Sequence, residues 1–278
     1  MSASPPKTTI WHDAFYQFAQ VDDPAALVGT LQELCRETGV LGNVLVAHEG
    51  VNGMLGGTDA QLSRLRDFFA ADERFAAMTY KRTACDYMPF RFMRVRLKRE
   101  IVPLGVEGVD ARKTGTDVSP QAWRELIAQD DVVLIDNRNR FEYELGHFEG
   151  AVDPGVHNFR DFAAYAETQL SEWQGKRVAM YCTGGIRCEK TSAWLTTLGL
   201  DVYQLEGGIL NYFAQLPDAD KEFKGECFVF DDRLTLDTKL QETPTTLAEV
   251  TALQLSLEPP QKPTQESADK ARREDETA

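Results

Sequence analysis

The chain has 278 residues, 42% of them hydrophobic, which is enough apolar material for two domains of ordinary size. No run approaches the roughly 20 apolar residues of a membrane-spanning helix, so no membrane partner is expected. The formal net charge of −14 excludes a generally basic nucleic-acid-binding protein, and any contact with nucleic acid requires a local basic patch. The five scattered cysteines, and residues 1–7 without an apolar leader, favour a reducing, cytoplasmic compartment.

Residues 8–103 are predicted to form a small α+β domain of the ferredoxin or acylphosphatase type. An aromatic, strand-like segment leads into a helix that Asp23 caps and Gly39 ends. Two short strands around a glycine-containing turn, a second helix and a strand over residues 90–102 follow. The order β-α-β-β-α-β is that of a split βαβ sandwich.

The second part of the chain predicts a different architecture. Residues 104–118 are polar and contain glycine, as expected of an interdomain linker. From 119 to 225 strands and helices alternate, which predicts an α/β domain with a parallel sheet and helices on both faces. The apolar runs before Asp136 and Cys182 suit central strands that are buried on both sides. Residues 226–240 form a C-terminal extension of this domain.

The last segment, residues 241–278, contains four prolines, many charges and no aromatic residue. This composition predicts a disordered acidic tail with at most a transient helix over 246–257. We assign no chemistry to it.

The sequence YCTGGIRCEK, residues 181–190, lies between a predicted central strand and a predicted helix. Ligands of open α/β sheets bind beyond the carboxyl ends of the strands, and Cys182 ends this strand. The glycines allow successive amide groups to face one point, and the helix adds the positive end of its dipole. The predicted active-site loop consists of Cys182, Thr183, Gly184, Gly185, Ile186 and Arg187.

This loop predicts a reactive thiolate. A cysteine at a helix N-terminus beside an arginine has a pKa well below the free value of about 8.5. Arg187 cannot lose its charge and is expected to clamp an anionic group carried on the sulfur. The Cys-x4-Arg spacing is one residue shorter than the Cys-x5-Arg cradle of cysteine phosphatases, which favours a persulfide or an oxyanion over a phosphate. The ordinary alternative is that Cys182 is a small buried hydrophobe.

Neighbouring residues are candidates for supporting roles. Cys188 is either a resolving thiol or a residue of helix packing, and packing is the commoner role. Asp136 and Arg138 follow another strand at the same sheet edge, so we expect them to support the active loop. His48 and His147 are interpreted as residues of packing and loop fixation. No metal site is expected, because the sequence has no CxxC pair and no histidine close to the two cysteines.

A basic patch occupies residues 81–99. Seven basic residues there are accompanied by a single acid, Asp86, which gives a local charge of +6. Aromatic side chains nearby can stack on unpaired bases of RNA, whereas the alternative is a solvated sheet face whose charges discourage edge pairing. The candidate RNA-binding residues are Lys81, Arg82, Arg91, Arg94, Arg96, Lys98 and Arg99.

The strand MRVRLKR within this patch has a basic face. A period of two places Arg94, Arg96 and Lys98 on one side and Val95 and Leu97 on the other. The strand is therefore predicted to present a basic stripe outward and an apolar back to the core.

Three segments resemble the successive signatures of a rhodanese domain: DNRNRFEYELGHFEGAV (136–152), CTGGIRCEKTSAWL (182–195) and LEGGI (205–209). In that family the loop cysteine carries sulfane sulfur. Together with VAHEGVNGMLGGT (46–58), RFMRVRLKREIV (91–102) and GECFVFDDR (225–233), they resemble the rhodanese-like, oxygen-dependent tRNA uridine-34 hydroxylases.

The resemblance implies an oxidoreductase that converts the wobble uridine of certain tRNAs to 5-hydroxyuridine, with molecular oxygen as co-substrate. It implies Cys182 as the functional cysteine, the anticodon arm of tRNA as the partner, and no interaction with DNA. No cofactor is evident, because the sequence shows neither a glycine-rich dinucleotide fingerprint nor a two-histidine, one-carboxylate cluster. Many relatives continue into a cysteine-rich extension, whereas Cys227 is the last cysteine here, so a structural metal of that extension is not expected.

Three alternatives share part of this pattern. A sulfurtransferase would pass persulfide sulfur from thiosulfate or a donor protein through Cys182. A non-enzymatic RNA-binding module would not need the thiol. A phosphatase is disfavoured by the short loop.

Overall fold

A computed structural model describes residues 8–258. Residues 259–278, which belong to the predicted acidic tail, lie outside the described residues. Within residues 8–258, none of the helices combines the length and the apolar character that crossing a bilayer requires.

The N-terminal domain has five strands and two helices: β1 (Ile10–Phe18), α1 (Pro24–Thr38), β2 (Leu41–Ala47), β3 (Gly50–Gly57), α2 (Asp59–Ala70), β4 (Tyr80–Cys85) and β5 (Met93–Leu97). The sheet order is β4-β1-β3-β2-β5, which contains the predicted acylphosphatase-like arrangement. Asp23 caps α1 by accepting a hydrogen bond from the Ala26 amide at 2.9 Å, as predicted.

Sequence reasoning missed one edge strand of this sheet. That strand is β4, which pairs with β1 at one edge of the sheet. It occupies the position of the final strand in the predicted β-α-β-β-α-β order. The strand predicted over 90–102 is the shorter β5, which pairs in parallel with β2 at the opposite edge.

The two faces of this sheet have different environments. Phe15 of β1 points into the helix-covered core, where its ring lies 5.5 Å from that of Phe69 on α2. Because side chains alternate along a strand, Tyr16 points to the other face. That face carries no helix of its own domain and is turned toward the second domain.

The second domain has this order: β6 (Thr116–Val118), α3 (Pro120–Ile127), β7 (Val132–Asp136), α4 (Arg140–Leu145), β8 (Gly146–Phe148), α5 (Phe162–Trp173), β9 (Arg177–Tyr181), α6 (Ile186–Thr197), β10 (Asp201–Leu205) and α7 (Gly208–Gln215). Short 3-10 turns occur at Phe159–Asp161 and Ala219–Lys221. The four-stranded sheet has the order β6-β10-β9-β7, and all its pairs are parallel.

Helices cover both faces of the parallel sheet, as predicted. In β9, Val178 and Met180 belong to one buried cluster, which also contains Phe162 of α5. Ala179 and Tyr181 belong to a second buried cluster on the opposite face. A strand buried on both sides needs a continuous apolar run, and this explains the sequence VAMY.

Part of the predicted linker is built into the second domain. β6 pairs with β10, and the Thr114 hydroxyl donates to the Glu189 carbonyl at 3.2 Å. Leu104 and Ala111 are buried. The domain boundaries 8–103, 104–118, 119–225 and 226–240 remain predictions.

The C-terminal extension bridges the two domains. β11 (Phe223–Gly225) pairs with β8, and β12 (Cys227–Phe228) pairs with β13 (Thr235–Leu236). The Asp232 amide then donates to the Pro89 carbonyl of the N-terminal domain at 3.1 Å. The extension therefore forms a wall shared by both domains.

Ordered structure continues beyond residue 240, where the tail was predicted to begin. Helix α8 (Leu247–Leu257) starts with a capping box formed by Thr246 and Glu249 and lies against α4 with Val250 buried. The Glu226 carboxylate also accepts hydrogen bonds from the hydroxyls of Thr243 and Thr245, at 2.9 and 2.7 Å. Ordered contacts therefore continue into residues that were expected to belong to a disordered tail. Composition reveals the prolines and charges of this segment but not the residues against which it packs.

A buried lysine fastens the domains together. Lys190 of α6 is 1% exposed, and its ammonium lies 2.7 Å from the Glu49 carboxylate and 2.6 Å from that of Glu100. It also donates to the Val102 carbonyl at 3.1 Å. The fixed contact holds the open face of the N-terminal sheet above the end of the parallel sheet.

Candidate active site between the domains

A cavity of about 1050 Å³ lies between the two domains. Its floor is the open face of the N-terminal sheet, and Cys182 and its loop line the opposite side. Phe228, Phe230 and neighbouring residues of the C-terminal extension line a third side. The carboxyl edge of the parallel sheet therefore opens into a cleft between the domains, where α/β folds place their ligands.

The cysteine loop has the predicted geometry. Cys182 directly follows β9, and α6 begins at Ile186. The Gly185 amide donates a hydrogen bond to the Cys182 sulfur at 3.1 Å. Gly185 has φ 100°, a conformation that favours glycine and turns this amide inward.

The LEGGI segment holds the loop from behind. The Ile209 amide donates to the Cys182 carbonyl at 3.0 Å, and the Leu210 amide donates to the Thr183 carbonyl at 3.2 Å. Gly208 has φ 70°, and a Cβ there would lie 2.5 Å from the Cys182 carbonyl oxygen. A glycine is therefore needed for α7 to approach the loop this closely.

The surroundings favour the thiolate form of Cys182. Burial raises the pKa of the thiol, but it is outweighed by a hydrogen bond from the Cys188 thiol, by the charge of Arg187 and by the amides of Cys188 and Arg187. Together these interactions hold the pKa of Cys182 well below its usual value. The side chain is 0% exposed, so the charge is held by protein groups rather than by bulk water.

Cys188 acts on Cys182 as a neutral thiol. Burial and the hydrogen bond to Cys182 raise the pKa of Cys188 well above its usual value. The Asn137 amide lies 3.9 Å from the Cys188 sulfur. Both cysteines are free and buried, and a resolving role for Cys188 remains a prediction.

Arg187 is oriented differently from the prediction. Its guanidinium makes two hydrogen bonds to the buried Glu142 carboxylate, at 2.8 and 2.7 Å, and a third to the Thr183 hydroxyl at 3.3 Å. Because these N–H groups bond to Glu142 and Thr183, the Arg187 side chain acts on the Cys182 sulfur mainly through its charge. Glu142 was missed, although the NRFE pattern with Asn139 three residues before it is a capping-box signal.

Asp136 and Arg138 lie behind the loop and do not line the cavity. They form a buried ion pair at 2.6 Å, and Arg138 also donates to the Gly146 carbonyl at 2.6 Å. The Tyr181 hydroxyl donates to Asp136 at 2.8 Å. Because Tyr181 directly precedes Cys182, this network supports the proposed positioning role.

Comparison with known proteins matches both domains. Residues 12–101 match the UPF0176 acylphosphatase-like domain, and residues 119–215 match the rhodanese-like domain. A protein named tRNA uridine(34) hydroxylase from Mesorhizobium japonicum is 43% identical to this chain, over 87% of this chain and 79% of that protein. One of the same name from Legionella pneumophila (strain Corby) is 42% identical, over 82% of this chain and 90% of that protein. A protein of the same name in Deinococcus radiodurans is 44% identical, over 82% and 76%.

The chain belongs to the tRNA uridine(34) hydroxylase family. The resemblance drawn from the motifs is thereby confirmed, as are the acylphosphatase-like and rhodanese-like folds.

The seven predicted RNA-binding residues of this family member fall into three groups. The members that line the cavity are Lys81, Arg91, Arg94 and Arg96. Arg82 points to the opposite face of the sheet, where its guanidinium stacks on Trp11 and pairs with Asp59 at 2.5 Å. Lys98 and Arg99 are exposed after the end of β5.

One prediction about the basic stripe is wrong. Val95 is buried as expected, but Leu97 is 52% exposed. Leu97 is the last residue of the edge strand β5. At this position a side chain on the inner face of the sheet is no longer covered by the helices.

The family member also carries cavity residues that sequence reasoning missed. Tyr16 of β1 reaches the loop, and a Cβ on Gly185 would lie 3.0 Å from its hydroxyl. Glu189 of α6 lies beside Tyr16, although it does not itself line the cavity, and burial raises its pKa to about 7. Phe230 lines the same cavity and is 50% exposed. The alternation of side chains along β1 predicts which residues share a face of the sheet with Tyr16. It does not predict which of the two faces the second domain covers.

His48 and His147 have the predicted structural roles. His48 bonds to the Val21 carbonyl at 2.9 Å. His147 bonds to the Tyr143 carbonyl at 2.9 Å, and its ring stacks on that of Tyr143. Within residues 8–258, no group of three or more histidine, cysteine or acidic side chains is arranged to hold a metal ion. The absence of a metal and of an organic cofactor stays a prediction.

Proposed function

We propose that this protein hydroxylates C5 of uridine 34 in tRNA, with molecular oxygen as co-substrate and with Cys182 as the functional group. Membership of the tRNA uridine(34) hydroxylase family supports the substrate and the reaction. The observation that carries the proposal is the juxtaposition of an activated thiolate with a basic cavity of about 1050 Å³. Ligand pockets commonly have volumes of about 300–1,000 Å³, so one nucleotide fits this space.

The cavity can hold a flipped nucleotide of the anticodon arm. Arg94 and Arg96 are exposed on the floor near one sheet edge and can neutralise phosphates without reading sequence. Phe92 is 66% exposed and Phe230 is 50% exposed, and bases that leave a loop stack on such rings. Asn52 lines the cavity and donates its amide to the Ile101 carbonyl at 3.0 Å, so its own carbonyl oxygen is a candidate acceptor for a ligand N–H such as uracil N3–H.

Cys182 supplies the reactive group in this proposal. A thiolate is the form of cysteine that attacks electrophilic carbon or sulfur. The Gly185 amide, the Cys188 thiol and the charge of Arg187 favour that form in the absence of substrate. The cytoplasm is the expected compartment, and DNA is not an expected partner.

Mass spectrometry of tRNA nucleosides tests the proposal. A strain without this gene should lack 5-hydroxyuridine derivatives at position 34 when any parallel hydroxylation pathway is also deleted. The intact gene should restore them. Normal levels of these nucleosides in the deletion strain would contradict the proposal.

A sulfurtransferase is the second candidate, because a thiolate among inward-facing amides also suits a persulfide. It predicts rapid, Cys182-dependent transfer of sulfur from thiosulfate to cyanide, with unchanged wobble uridine in the deletion strain. Measuring both activities on the same purified protein separates the two candidates.

A further inference from the structure

Lys81 connects the N-terminal domain to the cysteine loop. It lies on β4, and its ammonium donates a hydrogen bond to the Gly184 carbonyl. The same ammonium lies 5.7 Å from the centre of the Tyr16 ring. Sequence reasoning assigned Lys81 to RNA contact, whereas the structure places it on the loop that holds the thiolate.

One peptide unit joins Lys81 to the sulfur. In a trans peptide the carbonyl and the amide N–H point in opposite directions within one plane. The Gly184 carbonyl accepts from Lys81, and the amide of the same unit, that of Gly185, donates to Cys182 at 3.1 Å. A cation on the oxygen fixes the plane and polarises the N–H, so the hydrogen bond to the thiolate becomes stronger.

We propose that Lys81 is a positioning residue that activates Cys182 across the domain boundary through the peptide between Gly184 and Gly185. The proposal rests on Cys182 being the functional thiol of the proposed reaction. It implies that the rhodanese-like domain obtains part of its thiol activation from the acylphosphatase-like domain.

Other titratable groups also face the sulfur, and the proposal concerns only the contribution of Lys81 to the pKa of Cys182. Cys188 and Arg187 lower the pKa of Cys182 from α6. Glu142 of α4 partly neutralises Arg187, and Tyr16 and Glu189 lie on the side of Lys81. Burial lowers the pKa of Lys81, and the Cys182 and Glu189 charges offset only part of that effect.

The neighbouring arginine provides a matched control. Arg82 follows Lys81 on the same strand but points to the other face, toward Asp13 and Asp59. Replacing it removes a positive charge at nearly the same position in the chain without touching the loop. A general electrostatic effect of the strand would therefore appear in both variants, whereas a local effect appears only at Lys81.

The test is the pH dependence of Cys182 alkylation by iodoacetamide, followed by mass spectrometry of the peptide that contains it. In Lys81→Met the midpoint should move to higher pH, and alkylation below the midpoint should slow about three- to tenfold, where tenfold corresponds to one pKa unit. Lys81→Arg should retain most of the wild-type profile. Arg82→Met should match wild type.

Unchanged midpoints in folded Lys81→Met would overturn the proposal, particularly if its tRNA affinity falls, because Lys81 would then contact RNA only. If Lys81→Met does not fold, Lys81→Gln decides, since its amide can donate to the Gly184 carbonyl without a charge. It should shift the midpoint upward, and a wild-type midpoint would refute the polarising role. Hydroxylation of tRNA by the wild-type protein is measured in parallel, so failure of the proposed function is seen separately from failure of this inference.

Discussion

Replacing Glu142 by glutamine separates two consequences of the ion pair behind the active loop. Glu142 is 0% exposed and accepts hydrogen bonds from Arg187 at 2.8 and 2.7 Å. Glutamine keeps the size and one acceptor oxygen but leaves the buried guanidinium without its counter-charge. Removing one partner of a buried ion pair costs about 3–5 kcal/mol, and we expect the free energy of unfolding to fall by about 3 kcal/mol because one acceptor remains.

The same substitution should make Cys182 more acidic. Glu142 neutralises part of the positive potential that Arg187 exerts on the sulfur. Without that carboxylate the guanidinium acts more strongly on the thiolate, so the pKa of Cys182 falls. Stability and thiol pKa thus both decrease. A substitution that only loosened the loop would raise the pKa, since the amide donors would be lost.

Urea denaturation measures the stability, and the pH dependence of Cys182 alkylation measures the thiol. Glu144→Gln is the control, because Glu144 lies on the same helix, is 40% exposed and pairs with Arg140 at 3.7 Å. The control should change the free energy of unfolding by less than about 1 kcal/mol. Unchanged stability in Glu142→Gln, or a higher thiol pKa, would refute the reasoning.

The ion pair also sets a pH dependence. Burial raises the pKa of Glu142, but the charge and hydrogen bonds of Arg187 outweigh it and leave the pKa below its usual value. Such a carboxylate stabilises the fold above its unfolded pKa of about 4.3, and this contribution is lost as the pH falls through the folded pKa. The stability difference between wild type and Glu142→Gln should therefore shrink below about pH 4 in denaturation series.

Three further variants test the thiol pair, the interdomain contact and the basic face of the cavity. Cys188→Ala removes the thiol that donates to Cys182, so the alkylation midpoint of Cys182 should rise; a midpoint that stays constant would show that this hydrogen bond is unimportant. Lys190→Met leaves Glu49 and Glu100 without their shared cation. The free energy of unfolding, measured by urea denaturation, should therefore fall by about 3 kcal/mol. A loss below about 1 kcal/mol would argue against the interdomain contact. Arg94→Ala with Arg96→Ala should weaken tRNA binding and reduce the slope of log K against log salt by about 1.4, since each phosphate contact with a single strand contributes about 0.7. Equal losses in Arg82→Ala would contradict the assignment of the cavity face.

The sequence predicts the fold and the reactive loop well where the signals are local. Caps such as Asp23, the alternation of strands and helices, and the CTGGIRC loop each depend on a few neighbouring residues. The position of Cys182 at the end of β9 and its Gly185 hydrogen bond follow from the same local pattern.

What the sequence does not predict depends on contacts between distant segments. Lys81 is 103 positions from Gly184, and Lys190 is 141 positions from Glu49. The pairing of Arg187 with Glu142 likewise spans 45 positions and replaces the predicted anion clamp. Periodicity assigns these side chains to faces. Which faces meet is decided by tertiary packing, between the domains for the two lysines and within the second domain for Arg187.

The most direct test of the role of Cys182 compares two buried cysteines in the same cellular assay. Cys182 lines the cavity as a favoured thiolate, whereas burial raises the pKa of Cys227 to about 12. A deletion strain is complemented with Cys182→Ser or with Cys227→Ser at matched protein levels, and 5-hydroxyuridine at position 34 is measured by mass spectrometry. A requirement for the Cys182 thiolate predicts full restoration by Cys227→Ser and none by Cys182→Ser. Restoration by Cys182→Ser would contradict it.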